Sequence, residues 1–341
     1  MINNLTVVIP TQNRPQHLNR LLNCIRERVH ILVADSSDLR SGSGVNTTSS
    51  LLVEKFDVNT SFSKKIYEAL KIVETPYVQL CADDDFPILS TSERCMQALE
   101  NDPKISAICG LTIAFSQNFA GICTWPRYLD KAFWRNNENQ NYQRFVKSFT
   151  DYYQFFYGVH RSDLLRQIFK FSSQHVHKRG WEMDVTLMSS LTGNQLVLKT
   201  VGSAREAMAP ALQLDTNPSV NEWINTYYDT QKFEAWARAY QQFADEIQSG
   251  EDFQEIEDLI RKPIFNLQSN GLYPNAYKVF GRFFLRDHGW PPSKSTQRKM
   301  WCWDYLFING AHRKFLLSKE WQKIKENLDH FGPLDQTKYG N

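Results

Sequence analysis

The stretch PYVQLCADDDF, Pro76 to Phe86, runs like a buried strand and then ends in three consecutive carboxylates. Asp83, Asp84 and Asp85 repel one another: two unit charges about 4 Å apart disfavour each other by about 1 kcal/mol in water, and by more where solvent is scarce. Burial of apolar surface gains nothing from such a tip. The cluster points either to a bound cation or to a solvated turn that happens to be acidic, and this stretch alone leaves both open.

The flanking sequence supplies the context. LTVVIP, from Leu5 to Pro10, is a β-branched run closed by proline and reads as a buried strand. TQNRPQHLNRLLNCIRE follows, with Leu18, Leu21, Leu22 and Ile25 at helical spacing and Pro15 in the first turn. HILVADSSD is a second strand running into a polar turn, SGSGVNTTSS a loop, and SKKIYEALKIVE a helix with Ile66, Leu70 and Val73 on one stripe. Strand, helix, strand, helix, strand is the pattern of a doubly wound, mostly parallel α/β sheet flanked by helices. Ligands of such sheets sit beyond the carboxyl ends of the strands. Thr11, Asp35 and the aspartates 83–85 all fall at those ends. A chance acidic turn would not recruit the other two tips, so the convergence favours a binding crevice.

Further along, AICGLTIAF (107–115) and NQLVLKTV (194–201) read as strands, separated by an unusually aromatic stretch over about 120–160. From about 220 the pattern turns helical and amphipathic. The expected division is therefore a sheet domain over 1–210 and a helical domain over 211–341. GRFFLRDHGW and RKMWCWDYLFINGAHRKFLL interleave aromatics with arginine and lysine. Such composition suits either a membrane-surface contact or a packing or homodimer face.

Composition removes several classes. With 341 residues and 42% hydrophobic content the chain can bury a proper core. A net charge of +2 is too small for nucleic-acid binding by bulk electrostatics. The six cysteines form no CxxC pair and no zinc spacing, which fits a reducing cytoplasm. The amino-terminal apolar run is too short for a signal peptide, no run approaches a membrane span, and the sequons at Asn4, Asn46 and Asn59 are then chance. A P-loop and a dinucleotide fingerprint are both missing.

TVVIPTQNRPQHLNRLLN, VADSSD and CADDDF, in that order, resemble the opening strand and helix, the second-strand aspartate and the DxD motif of the family 2 glycosyltransferases. The resemblance covers roughly residues 4–205 and implies a GT-A fold with a UDP-sugar donor and a glycan or lipid-linked acceptor. It assigns Asp35 to the ring N–H of uracil, a task suited to an acceptor-only carboxylate, Thr11 to the base pocket and Arg14 to the phosphates. It also explains the acidic cluster. Magnesium and manganese take carboxylate oxygens together with substrate phosphates. Asp85 is the expected direct ligand, Asp83 a ligand or ribose contact, and Asp84 a group facing the donor sugar. On an extended stretch the outer pair would point the same way.

Inverting transfer also needs a base for the acceptor hydroxyl. The family's acidic pair at a helix start corresponds here to RGWEMDVTLMSSLTGNQLVL, where the adjacent acids have become Glu182 and Asp184 with Met183 between them. Glu182 is the preferred base and Asp184 the alternative. A capping carboxylate is the structural reading of either. His175 and His177 form an HxH pair that reads more readily as loop than as metal site. Trp125, Trp134 and Trp181 suit sugar stacking or core packing equally. A nucleotidyltransferase would want a Gly-rich first turn, which IPTQNRP lacks; a non-catalytic sugar- or nucleotide-binding or scaffolding module is the reading from another class.

Overall fold

The computed structural model describes residues 1–38, 45, 47–118, 121–127, 134–150, 152–174, 181–207, 230–247 and 303–334. Its centre is β1 (Ile2–Thr11), which pairs in parallel with β2 (Val29–Asp35) on one side and β4 (Tyr77–Leu80) on the other. The β1 burial explains the apolar run. Leu5, Val7 and Ile9 enter one core and Val8 the other, as the two-residue period of a strand requires. In β2, Ile31 and Val33 divide from Leu32 and Ala34 in the same way. Both faces are dry because helices cover both. On one side lies α1 (Pro15–Ile25), with Leu18, Leu21 and Leu22 in contact with the sheet. On the other lies α2 (Phe62–Lys71), with Ile66, Ala69 and Leu70 inward.

The α/β class expected from the sequence is what the chain adopts. Among the described residues the sheet has ten strands, in the order β3-β2-β1-β4-β9-β6-β10-β5, with β7 on β6 and β8 on β10. Here β3 is Leu51–Lys55, β5 Phe86–Pro87, β6 Ile105–Asn118, β7 Gly121–Pro126, β8 Arg135–Asn136, β9 Val159–Arg161 and β10 Asn194–Glu206. Strands β3, β2, β1, β4, β6 and β10 run one way; β9, wedged antiparallel between β4 and β6, joins the two parallel halves. Five strands escape the sequence reading: β5 and β8 have two residues each, β7 lies within the aromatic stretch, and β3 and β9 fail for their own reasons. β3 is an edge strand whose Glu54 and Lys55 are exposed, and β9 has only three residues, too few for a period.

β10 carries register shifts against β6 at Leu198–Val201 and Val201–Ser203. Gly110 and Gly202 meet there: a Cβ on Gly110 would lie 2.6 Å from the Gly202 nitrogen, closer than any side chain tolerates. Bulges commonly re-aim a strand beside a functional site. This one precedes Arg205 and Glu206, which reach back to the acidic turn.

The remaining helices complete both layers. α3 (Leu89–Asn101) joins α1; α5 (Ser162–Ser172), α6 (Trp181–Thr192) and α7 (Thr230–Glu246) stack beside α2, while α4 (Asn141–Thr150) packs on α6. α8 (Trp303–Leu316) and α9 (Lys319–Phe331) return to the α1 side. Trp321, Ile324 and Leu328 enter the same core as Leu5 and Leu18. Glu320 serves α3 directly, accepting the Leu89 N–H at 2.8 Å and the Ser90 hydroxyl at 2.6 Å, where α3 has no side-chain cap of its own. A carboxylate at a helix amino terminus is favourable on both hydrogen-bond and dipole grounds. The domain boundary expected near 210 lies outside the described residues; the described helices on its far side pack onto the sheet layers.

Candidate active site

The turn Ala82–Asp85 follows β4, and the Asp85 N–H donates to the Ala82 carbonyl at 3.2 Å. It is a turn and not an extended strand end, so the expectation that Asp83 and Asp85 point the same way does not hold. Asp83 faces β1 and α1: Thr11 donates its hydroxyl to Oδ2 at 2.6 Å and Arg14 donates Nη1 to Oδ1 at 2.6 Å. Asp84 takes the other arm of the same guanidinium at 2.8 Å. Asp85 faces β10, accepting the Glu206 N–H at 2.8 Å and the Arg205 Nε at 3.3 Å.

A third arginine closes the cluster. Arg20 is fully buried, pairs with Glu206 and donates to the Asp84 carbonyl at 3.2 Å. A buried arginine is tolerated only when paired, and its guanidinium lies over Phe86 and Phe115, with Cζ 5.6 and 5.9 Å from the ring centroids. No sequence motif marks Arg20, Arg205 or Glu206; the first stands in a helix and the others behind a bulge, with Arg205 120 residues beyond Asp85.

The guanidiniums do not fully compensate the carboxylates. Burial, partly offset by Arg14, pushes Asp83 up to about 7; burial and the neighbouring Asp84 charge push Asp85 up to about 7 despite Arg205. Asp84 is the exception: burial would raise it, but Arg14, with His17 and Arg20 behind, holds it below the usual range. His17, buried under this cluster between Arg14 and Arg20, is lowered to about 4 by burial and the two cations, and its Nε2 has no hydrogen-bond partner among the described residues.

Asp35, at the end of β2, is fully buried. Its Oδ1 accepts the Ser37 N–H at 2.8 Å and its Oδ2 pairs with Lys55. Burial pushes this carboxyl up, but the bonds from Lys55 and Ser37 outweigh it and hold it low. Lys65 is a further residue that no sequence motif marks. It sits on α2 in the stripe gap beside Ile66, only 5% exposed, and donates to the Ser36 hydroxyl at 2.9 Å and the Thr11 carbonyl at 3.3 Å. Burial lowers it to about 8, against the pull of Asp83 and Asp35. A buried lysine between two strand tips was the only available signal, and in SKKIYEAL it looks like one more helical cation. Thr11, Asp35, Lys65, Arg14 and Asp83 thus cluster at the carboxyl ends of β1, β2 and β4.

The two candidate bases differ. Asp184 is 2% exposed and is held at both oxygens, by the Ser172 hydroxyl at 2.7 Å and the Tyr240 hydroxyl at 2.7 Å. Glu182 is half-buried and accepts from the Gln154 amide at 2.5 Å. Gln154 in turn accepts from Arg205 Nη1 at 2.6 Å, and Arg205 reaches Asp85. Glu182 is therefore linked through two side chains to the acidic turn, whereas Asp184 ties α5, α6 and α7 together.

Trp181 stacks on Phe62 at 4.1 Å, and Trp134 is buried against Tyr153 and Phe155, so both are packing residues. Trp125 lies in β7, half-buried. His175 and His177 lie outside the described residues. Among the described residues no group of three or more His, Cys, Asp or Glu is arranged to hold a metal, and no helix is long and apolar enough to cross a membrane. Asp83 and Asp85 offer carboxylate oxygens of the kind a hard divalent ion takes together with substrate phosphates, but all four already accept from Thr11, Arg14, Arg205 and the Glu206 N–H, so an ion there would have to displace those donors.

No family model and no curated protein matches the chain. Among solved structures it aligns with S. aureus TarS 1–349 in complex with UDP at 14% identity and a TM-score of 0.45, covering 96% of this chain and 90% of that one. The complex of TarS 1–349 with UDP-GlcNAc gives 14% identity and a TM-score of 0.44, over 96% and 84%. Against a longer TarS chain the match is 16% identical with a TM-score of 0.40, and covers 60% of this chain but only 37% of that one. At such identity and overlap, a functional reading has to come from this chain's own residues.

Proposed function

We propose that this protein is a glycosyltransferase that moves a sugar from a UDP-type nucleotide-sugar to a hydroxyl of a glycan or lipid-linked acceptor, with inversion. The observation that carries the reading is the convergence at three strand ends of a buried carboxylate, a buried lysine and an arginine-braced aspartate turn, with a further carboxylate, Glu182, tied to its far side. Each group suits one part of such a donor. Asp35 accepts from a ring N–H of the base. Thr11 and Lys65 shape the pocket beside it. Arg14, already placed between Asp83 and Asp84, is at hand for the diphosphate.

Asp83 and Asp85 would hold a magnesium or manganese ion, whose chemistry is to offset charge on the leaving diphosphate. Glu182 takes the proton from the acceptor hydroxyl as its oxygen forms the bond to the anomeric carbon. The bond from that carbon to the diphosphate oxygen breaks, and UDP departs with the electron pair. One displacement inverts the configuration. The two hydroxyl donors on Asp184 and its depth speak for Glu182 over Asp184 in the proton step.

Calorimetric titration of UDP with and without manganese or magnesium tests the reading. Binding strengthened by the ion is expected. Absence of binding by UDP and by other nucleoside diphosphates, with ion present, overturns it. A non-catalytic nucleotide-binding module would instead bind UDP and release none from any UDP-sugar.

A further inference from the structure

Gln154 and Arg205 belong to neither the nucleotide pocket nor the base, yet they bridge the two. Gln154 is 5% exposed, at the start of the segment leading to β9. Arg205 stands on β10 just past the bulge, with its side chain 15% exposed. A guanidinium has donors only. Arg205 Nη1 at 2.6 Å must therefore meet the carbonyl oxygen of the Gln154 amide, which turns the NH2 towards Glu182 at 2.5 Å. The amide has no freedom to flip. Arg205 is itself fixed from three sides, by Asp85 Oδ2 at 3.3 Å, by the Tyr157 hydroxyl at 3.2 Å and by the Tyr157 ring, whose centroid lies 4.3 Å from its Cζ.

We propose that Gln154 and Arg205 form a positioning pair, in which Arg205 senses the charge at Asp85 and Gln154 transmits it by orienting the Glu182 carboxylate. This rests on the glycosyltransferase reading above for the role of Glu182, but the physical link stands apart from it. While Asp85 is uncompensated, it draws on the guanidinium through Nε. Charge neutralised at Asp85 frees Arg205 to polarise the Gln154 carbonyl more strongly, which makes the opposite N–H a better donor to Glu182. Hydrogen bonds polarise one another along such a chain. The consequence is that loading of the acidic turn aligns the base, so proton abstraction is favoured only with the donor in place.

The experiment uses the full chain. In nitrogen-15 spectra the Gln154 side-chain amide is the signal lost in Gln154→Leu. It should shift in Glu182→Gln, in Asp85→Asn and on addition of UDP with magnesium. A signal that ignores either end overturns the link, whether or not the protein turns over any sugar. In UDP-release assays over a panel of UDP-sugars, Gln154→Leu should lower kcat about ten- to a hundredfold, the span of one hydrogen bond to a charged group. Its UDP affinity should stay within about twofold of wild type. Equal losses of affinity and kcat would mark Gln154 as a packing residue, and an unchanged kcat would remove its positioning role. A wild-type protein that neither binds UDP nor releases it from any donor would sink the glycosyltransferase reading, and the amide signal would still decide the link.

Discussion

Two acidic regions of this molecule, Asp184 and the turn Asp83–Asp85, are both largely buried and held in different ways. Around Asp184, hydroxyls from α5 and α7 hold one oxygen each, and the side chain is 2% exposed. Asp83, Asp84 and Asp85 are each held by a guanidinium or its neighbour, with the Thr11 hydroxyl and the Glu206 N–H beside them, and burial nevertheless pushes two of the three carboxyls to about 7. A fold that needs only an anchor satisfies a carboxylate with local donors. A fold that keeps three adjacent carboxylates against arginines holds charge it has no structural reason to hold. That contrast separates anchor from site better than burial does.

The sharpest way to break the contrast is on the helix shared by Glu182 and Asp184. Glu182→Gln should cut sugar transfer by about two to four orders of magnitude, the usual contribution of a positioned base, with UDP affinity almost unchanged in calorimetry. Full activity in that variant, with Asp184→Asn dead, would exchange the two roles. Next in size, Asp85→Asn should weaken ion-dependent UDP binding by about tenfold or more, since one ligand charge is lost. Asp84→Asn should weaken it less, and equal losses at positions 83, 84 and 85 would dissolve the distinction within the turn.

The anchor makes its own prediction. Asp184→Ala leaves the Ser172 and Tyr240 hydroxyls without their acceptor and should lower unfolding stability by about 3 kcal/mol. Thermal and urea unfolding would read it, and UDP affinity measured below the transition should not move.

The smallest effect concerns pH. Between about pH 4 and 7, folded Asp85 retains a proton that the unfolded chain has released, so its contribution to stability falls as pH rises through that window. His17 and His160, both lowered to about 4 by burial, act in the opposite direction up to their unfolded value of 6.5. Whole-protein curves will therefore partly cancel. The difference in Tm between Asp85→Asn and wild type should grow in favour of the variant from about pH 5 to pH 8 in ion-free buffer. A difference independent of pH would mean that Arg205 already compensates Asp85.

Legibility followed the length of the physical signal. β1, β2, α1 and α2 could be read because their apolar residues repeat over enough positions to define a period, and the cluster followed from where those strands end. The short β9 and the polar edge β3 carry no such period. Within the site, Thr11, Arg14, Asp35 and the aspartates stand beside strand ends and could be picked out locally. Lys65, Arg20, Arg205 and Gln154 could not, because their significance comes from contacts made across the fold. Arg20 meets Glu206 across 186 residues, and no local pattern records that. The turn geometry of Asp83–Asp85 departs from the extended expectation for the same reason: its outer carboxylates are held by Arg14 and Arg205 from two different elements.

The return of the helix Lys319–Phe331 also sets a timetable for making the protein. Asn327 bonds the Arg20 carbonyl across 307 residues, and Glu320 caps α3 across 231. At about 5–20 residues per second, a ribosome needs roughly 15–60 s after finishing the first helix before that partner has even been translated. Throughout that interval the first helix lacks the apolar cover of Trp321, Ile324 and Leu328. The nascent chain therefore emerges as a natural client for chaperones, and codon changes that slow the middle of the message should lower the soluble yield without altering a single residue.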